Sequence, residues 1–231
     1  MIERVLVTGA SRGIGRAVAL RLAEPGRELL LHGRDQRALE QVAGEVASRG
    51  ASALTIAEEL ADPEGVARLV LACGTSRLSA LVNNAGFAVV KPVEAIGIEE
   101  WERNLAVSVT APFLLVRGLL PRLERGSSIV NVLSVAAHRG FSGWTAYCAA
   151  KSALDGFGRA LREELRPRGI RVIGVYPAAT DTALWNPVGG TWDRSRMIPP
   201  SEVADAIAFA LERPPGVGVD TIEIGDVSGA L

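Results

Sequence analysis

Seven short apolar runs alternate with longer segments of helical period, and this alternation constrains the fold more than any other feature of the chain. The runs are Arg4–Val7, Glu28–His32, Ala53–Ile56, Ala80–Asn83, Ser128–Leu133, Arg171–Tyr176 and Thr221–Ile224. Between them, residues 14–24, 36–49, 63–74, 99–123, 146–166 and 201–212 read as helices. Asp62 before Pro63 marks one helix start, Asp35 caps another, and Ser201-Glu202 opens the last. A strand that returns to the sheet through a helix runs parallel to its predecessor, and such crossovers cover both faces. The expected class is α/β, with a doubly wound sheet of about seven parallel strands and helices on both faces. At 231 residues and 48% hydrophobic content, one core suffices, so residues 1–231 are expected to form a single domain.

Charge narrows the partners. The chain has 25 basic and 26 acidic residues, which gives no electrostatic footprint for nucleic acid or an anionic membrane. No apolar stretch of about 18 residues reads as a membrane helix, and residues 1–7 enter strand-like sequence without a leader pattern. Cys73 and Cys148 are too few for a disulfide framework, which suits a reducing, cytoplasmic compartment. No His, Cys and carboxylate spacing suggests a metal site. A small-molecule partner is expected. Only two residues are lysines, Lys91 and Lys151, so each merits inspection.

Thr8-Gly9-Ala10-Ser11-Arg12-Gly13-Ile14-Gly15 joins the first strand to the first helix. Glycines there allow a tight turn and close approach to a pyrophosphate, and the helix N-terminus presents amides and partial positive charge. The spacing Gly9, Gly13, Gly15 widens the first gap of the commonest dinucleotide fingerprint and narrows the second. At the end of the second strand an acidic residue would bond the ribose hydroxyls and repel a phosphate; this chain has Gly33-Arg34. With Arg12, that favours NADP(H), with NAD(H) as the lesser alternative.

Further on, Asn83-Asn84-Ala85-Gly86 closes the fourth strand, Ser134 follows the fifth, and Tyr147 and Lys151 lie four residues apart on a helix. That spacing puts phenol and ammonium on one helical face. A phenol with a pKa near 10 is a poor acid at neutral pH, and a nearby ammonium together with an oxidised nicotinamide is expected to lower that value. Ser134 would hold a substrate oxygen for proton exchange with Tyr147.

In this order, the glycine turn, the Asn-Asn-Ala-Gly segment and the Ser, Tyr, Lys group resemble the classical short-chain dehydrogenase/reductase family over nearly the whole chain. The resemblance implies a Rossmann-like fold and an NADP(H)-dependent oxidoreductase that interconverts a carbonyl (aldehyde, ketone or diketone) and an alcohol. It implies that Tyr147 and Lys151 both bind the cofactor, Lys151 gripping the nicotinamide ribose, and that Tyr147 donates the proton. It assigns the cofactor to Gly9, Ser11, Arg12, Gly13, Ile14, Gly15, Arg34, Glu59, Leu60, Asn83, Ala85 and Gly86. Beyond the sixth strand it adds Pro177, Ala178, Thr180 and Thr182. It also implies a homodimer or homotetramer built partly from the middle helices.

Two positions depart from the pattern. Aligning on Trp101 puts Ser108 where the family carries its catalytic asparagine, with Asn104 one turn earlier. Ala178 stands where the family has glycine, which restricts the backbone. These departures keep open a non-catalytic NADP(H)-binding or sensing protein on the same fold, while an epimerase or dehydratase would need additional substrate-binding sequence. Residues 178–200, with Trp185, Trp192, Met197, Pro187, Pro199 and Pro200, read as a substrate lid. Phe87, Phe141, Trp144 and Trp185 are candidates for an apolar substrate wall, and His138 reads as a satisfied surface histidine.

Overall fold

The computed structural model describes residues 3–186, 188, 192–214 and 216–227. Pro187, within the expected lid, lies outside them. The strands are β1 (Glu3–Thr8), β2 (Arg27–Gly33), β3 (Ser52–Ala57), β4 (Leu78–Asn83), β5 (Leu123–Val132), β6 (Arg171–Pro177) and β7 (Thr221–Ile224). They form one parallel sheet in the order β3-β2-β1-β4-β5-β6-β7. The chain works outward from β1 to β3, then crosses to β4 and works outward the other way. A crevice therefore opens beyond the carboxyl ends of β1 and β4, where ligands bind in doubly wound sheets.

Alternation along each strand feeds two cores. Val5 and Val7, Leu29 and Leu31, and Val130 and Val132 pack against α1 (Gly13–Leu22), α2 (Gln36–Ala47) and α7 (Pro200–Leu211). Leu6, Leu30, Leu81 and Ile129 face the opposite way, onto α3 (Pro63–Ala72), α5 (Ala111–Leu119) and α6 (Thr145–Leu165). Local signals set several helix starts as expected: Asp35 accepts the Ala38 amide ahead of α2, and Asp62 accepts the Glu64 and Gly65 amides ahead of α3. The last helix starts one residue before Ser201, because Pro200 with its fixed φ takes the first helical position.

The helix expected over 99–123 differs most. It is divided into α4 (Ile98–Leu105) and α5 by a π turn at Ala106–Thr110, and Leu123 already belongs to β5, paired with Leu78. Together Ile98–Arg122 make a run long and apolar enough by length and composition to cross a membrane, with a window of mean hydropathy 1.4. The sequence reading found no such stretch because Glu102, Arg103 and Asn104 interrupt its first half. Here Ala111, Leu115 and Leu119 of this run are buried in the core under the sheet.

His32 sits on β2 at 2% exposure, its Nε2 3.1 Å from the Glu58 carbonyl and its Nδ1 buried without a hydrogen-bond partner. Burial pushes this imidazole below its ordinary 6.5, more than the Glu58 carbonyl raises it. The unfolded chain therefore takes up a proton that the folded one refuses, so His32's contribution is complete above about pH 6.5 and is lost as pH falls below it. Urea denaturation between pH 7.5 and 5 should show stability falling with pH in the wild type, and a shallower fall in His32→Leu.

Candidate active site

Thr8 and Asn84 tie the two sides of the crevice together. The Thr8 hydroxyl donates to the Val82 carbonyl (3.2 Å) and accepts the amides of Asn84 (2.9 Å) and Ala85 (3.0 Å). Asn84 Nδ2 in turn donates to the carbonyls of Thr8 (2.8 Å) and Gly9 (3.3 Å). Asn83 points into the sheet instead and donates to Asn131 Oδ1 (2.9 Å), so its side chain is structural. The family resemblance assigned Asn83, Ala85 and Gly86 to the cofactor and left out Asn84, the residue whose side chain reaches the turn. A side-chain amide is the group that can donate to two carbonyls of the glycine turn at once.

The turn itself fits a phosphate. Gly9 and Gly13 adopt φ of +67° and +56°, and a Cβ on Gly15 would stand 2.2 Å from the Gly9 carbonyl oxygen. Unlike α2 and α3, α1 has no side-chain cap, and unlike α3 it has no acidic residue in its first turn. Its leading amides are thus left for an anion. Ser11 Oγ faces Gly33, which brings the turn against the end of β2. Arg12 is exposed, and its guanidinium makes no hydrogen bond or ion pair among the described residues. Ile14 lies at the edge of the adjoining cavity.

Arg34 is exposed near Arg12's turn, with Nη1 3.7 Å from Glu59 Oε2. The same carboxylate accepts from Arg103 Nη2 (2.6 Å), and its other oxygen accepts the Ala61 amide (3.0 Å). Burial raises the Glu59 pKa, but the Ala61 amide, Arg103 and Arg34 outweigh it and hold the carboxyl below its ordinary value. Glu59 is thereby committed to two arginines, and Arg103 is a neighbour that sequence reasoning missed because it lies on α4, 44 residues away. Leu60 is buried in the core.

At the end of β5, Lys151 Nζ donates to the Val132 carbonyl (2.7 Å) and lies 5.6 Å from the centroid of the Tyr147 ring. Ser134 caps a short turn by accepting the Ala136 amide (3.1 Å), and it lines the same cavity as the Tyr147 phenol. Burial pushes Tyr147 up to about 12, against the lowering effect of Ser134. Burial likewise pushes Lys151 down to about 8. This departs from the expected lowering of the phenol. In the protein alone the loss of water outweighs Ser134, and Cys148 raises the phenol further.

Ser108 lies in the π turn. Its Oγ is 3.2 Å from Asn104 Oδ1, and both residues are buried. A side chain on Gly86 would stand 3.8 Å from Lys151 Nζ and 3.9 Å from Ser108 Oγ, so these two polar groups border one small space. Asn104 Nδ2 is buried without a partner. Asn104 and Ser108 thus act as a pair, which no alignment of single positions would reveal.

Beyond β6, Ala178 donates its amide to the Ile224 carbonyl (2.8 Å), and its Cβ faces Gly225, where an added Cβ would come within 3.0 Å. The missing side chain of Gly225 accommodates the extra one on Ala178. Thr180 is buried and donates to the Ala178 carbonyl (3.0 Å). The Thr182 methyl lies over Gly13, and its hydroxyl accepts the Leu184 amide (3.3 Å). Pro177, Ala178, Thr180 and Thr182 border the cavity that holds Ser134 and Tyr147. Phe141, Trp144 and Trp185 line it too, whereas Phe87 packs into the core beneath the sheet instead. His138 is exposed and stacks on Tyr176 (4.5 Å between centroids). Among the described residues no cluster could hold a metal.

The chain belongs to the short-chain dehydrogenase family, whose sequence model matches residues 3–191. Among curated relatives, a 3-oxoacyl-[acyl-carrier-protein] reductase of Synechocystis sp. is 30% identical, the match covering 98% of this chain and 95% of that protein. A short-chain dehydrogenase from Burkholderia cenocepacia, solved in complex with NADP, is 30% identical with a TM-score of 0.87, covering 99% and 98% of the two chains. An alcohol dehydrogenase from the archaeon Thermococcus sibiricus, complexed with 5-hydroxy-NADP, superposes with a TM-score of 0.91 over 100% and 99%; at 24% identity it shares the fold.

Replacing Ser108 by Ala would strip Asn104 of its remaining side-chain hydrogen bond. Chemical denaturation should register a loss of about 1–3 kcal/mol.

Proposed function

We propose that the protein is an NADP(H)-dependent oxidoreductase that interconverts a carbonyl compound and its alcohol, with Tyr147 as general acid and base. The observation that carries this reading is that Ser134 and Tyr147 share one cavity, with Ile14 of the uncapped first helix at its border and Lys151 Nζ 5.6 Å from the Tyr147 ring centroid. When bound, the reduced cofactor supplies a hydride to the carbonyl carbon.

Each proposed role follows from local chemistry. The amides of Ser11 to Gly15 hold the pyrophosphate, and Arg12 and Arg34 take the 2′-phosphate by charge-assisted bonds. Ala85 and Gly86, with the backbone of Leu60 and Asn83, whose side chains are buried, line the adenosine side, and Glu59 steers Arg34. Pro177, Ala178, Thr180 and Thr182 flank the nicotinamide end. Ser134 orients the carbonyl oxygen, and the Tyr147 hydroxyl gives that oxygen its proton. Lys151 holds the ribose hydroxyls and, as an ammonium, favours the tyrosinate that the proton transfer leaves. Ser108 with Asn104 borders the route by which that proton is replaced. The NADP seen in the Burkholderia relative supports the cofactor choice. The proposal includes a single domain, a lid over 178–200, a cytoplasmic setting and a homodimer or homotetramer, with small-molecule substrates.

Turnover of a ketone panel by purified protein should favour NADPH over NADH. Tyr147→Phe should lose at least about a thousandfold in kcat, within the range ascribed to general acid catalysis, while NADPH titration still shows binding. NADPH binding without consumption of any carbonyl would favour a sensing role. The Lys151 ammonium is present below about pH 8 and lost above it, so the reduction rate should fall as pH rises through that range; a flat profile would remove Lys151 from the mechanism. Arg34→Asp should weaken NADPH relative to NADH by about tenfold or more, as read by fluorescence titration of each cofactor.

A further inference from the structure

The cavity beside Tyr147 has a volume of about 130 Å³. Its outer wall is built of indole rings. Trp144 lies edge-to-face with Tyr147 (centroids 5.4 Å apart), with Trp185 (5.5 Å) and with Trp192 (6.3 Å), and Trp185 and Trp192 are 4.8 Å apart. Trp144 is three residues before Tyr147 at the start of α6, so one helical turn presents both rings on the same side. Trp185 is locked: its Nε1 donates to the Thr180 carbonyl (2.9 Å), which turns its one polar atom into the backbone. Trp185 therefore offers the cavity carbon surface.

Among the described residues lining the cavity, none is charged. A carboxylate or phosphate in this space would lose its water without gaining a counter-charge, and that is strongly unfavourable. Its hydroxyls belong to Ser134, Tyr147, Thr180 and Thr182; Thr180 gives its proton to the Ala178 carbonyl, whereas Ser134 and Thr182 accept backbone amides and keep theirs. Of the hydroxyls left to donate, Tyr147 is the one packed against an indole, so a ligand oxygen bound to it brings whatever carries that oxygen toward the indoles. An apolar cavity of about 150 Å³ holds benzene. A space of similar size accepts a flat six-membered ring.

We infer that the substrate is a neutral carbonyl compound whose carbonyl carbon is attached to a flat aromatic ring, and that Trp144, Trp185 and Trp192 determine this specificity. The inference deepens the proposed reductase reading and rests on it for the ligand's being a substrate. Edge-to-face packing on three indoles rewards an aromatic ring beyond the area it buries, which a saturated ring of equal carbon count does not obtain.

Two matched pairs test this. Initial rates with NADPH are measured for acetophenone against cyclohexyl methyl ketone, and for methyl benzoylformate against the benzoylformate anion. In parallel, binding of the first pair is measured by calorimetry with wild-type protein, with and without NADP+, where no reduction takes place. The aryl ketone should exceed its cyclohexyl partner by about tenfold in kcat/KM or in affinity, the ester should exceed the anion, and Trp144→Leu and Trp185→Leu should each shrink the aryl preference. Aryl-selective binding without turnover would uphold the pocket's specificity and overturn the reductase reading. Turnover of both ketones without aryl preference would do the reverse. Preference for the anion, or no saturable aryl binding by calorimetry together with no aryl preference in rate, overturns the inference.

Discussion

Everything at the site depends on how the sheet is held where its strand order reverses. β1 and β4 are neighbours there, yet the chain leaves them toward opposite sides, so their carboxyl ends part and expose backbone groups to the crevice. Thr8 and Asn84 satisfy those groups with five hydrogen bonds, three at the Thr8 hydroxyl and two from the Asn84 amide. With the turn carbonyls of Thr8 and Gly9 engaged from behind, the amides at the start of α1 face outward. The same contacts explain why Gly15 tolerates no Cβ: the space is occupied by the Gly9 carbonyl and by Asn84 Nδ2, 2.5 Å away.

A second constraint is burial at the carboxyl end of β5. Lys151 is 5% exposed and anchored on the Val132 carbonyl, and Tyr147 beside it is buried. Removing water raises the phenol to about 12 and lowers the ammonium to about 8, each shift favouring that group's own neutral form. A further positive charge brought against this pair is felt strongly, because little water screens it. The site is in this sense poised: its proton affinity answers to what occupies the cavity.

Departures at Ser108 and Ala178 are each met by a second residue. Ser108 shares its hydrogen bond with Asn104 one turn earlier, inside a π turn that shifts the register of the helix. Ala178 is accommodated opposite Gly225 on the segment after β7. Glu59 shows the same logic with charge, since its carboxylate is balanced by Arg103 from α4 and approached by Arg34. Substitutions that look isolated along the chain are local exchanges in space.

The strands, the glycine turn and the Tyr147–Lys151 pair were legible because each rests on local periodicity or short spacing, and physical chemistry acts on such features within one element. The helix starts at Asp35 and Asp62 were legible for the same reason. What the tertiary structure alone decided lies between distant segments. Asn84 reaches back to Thr8, Arg103 crosses to Glu59, and Trp144, Trp185 and Trp192 meet to form one wall. Phe87 shows the limit well: its apolar side chain suited either a cleft or the core, and only packing against the residues beneath the sheet settled which. Sequence specified which groups could react and where phosphate could rest. Tertiary packing set their solvent exposure, and through it their proton affinities and the shape of the space they share.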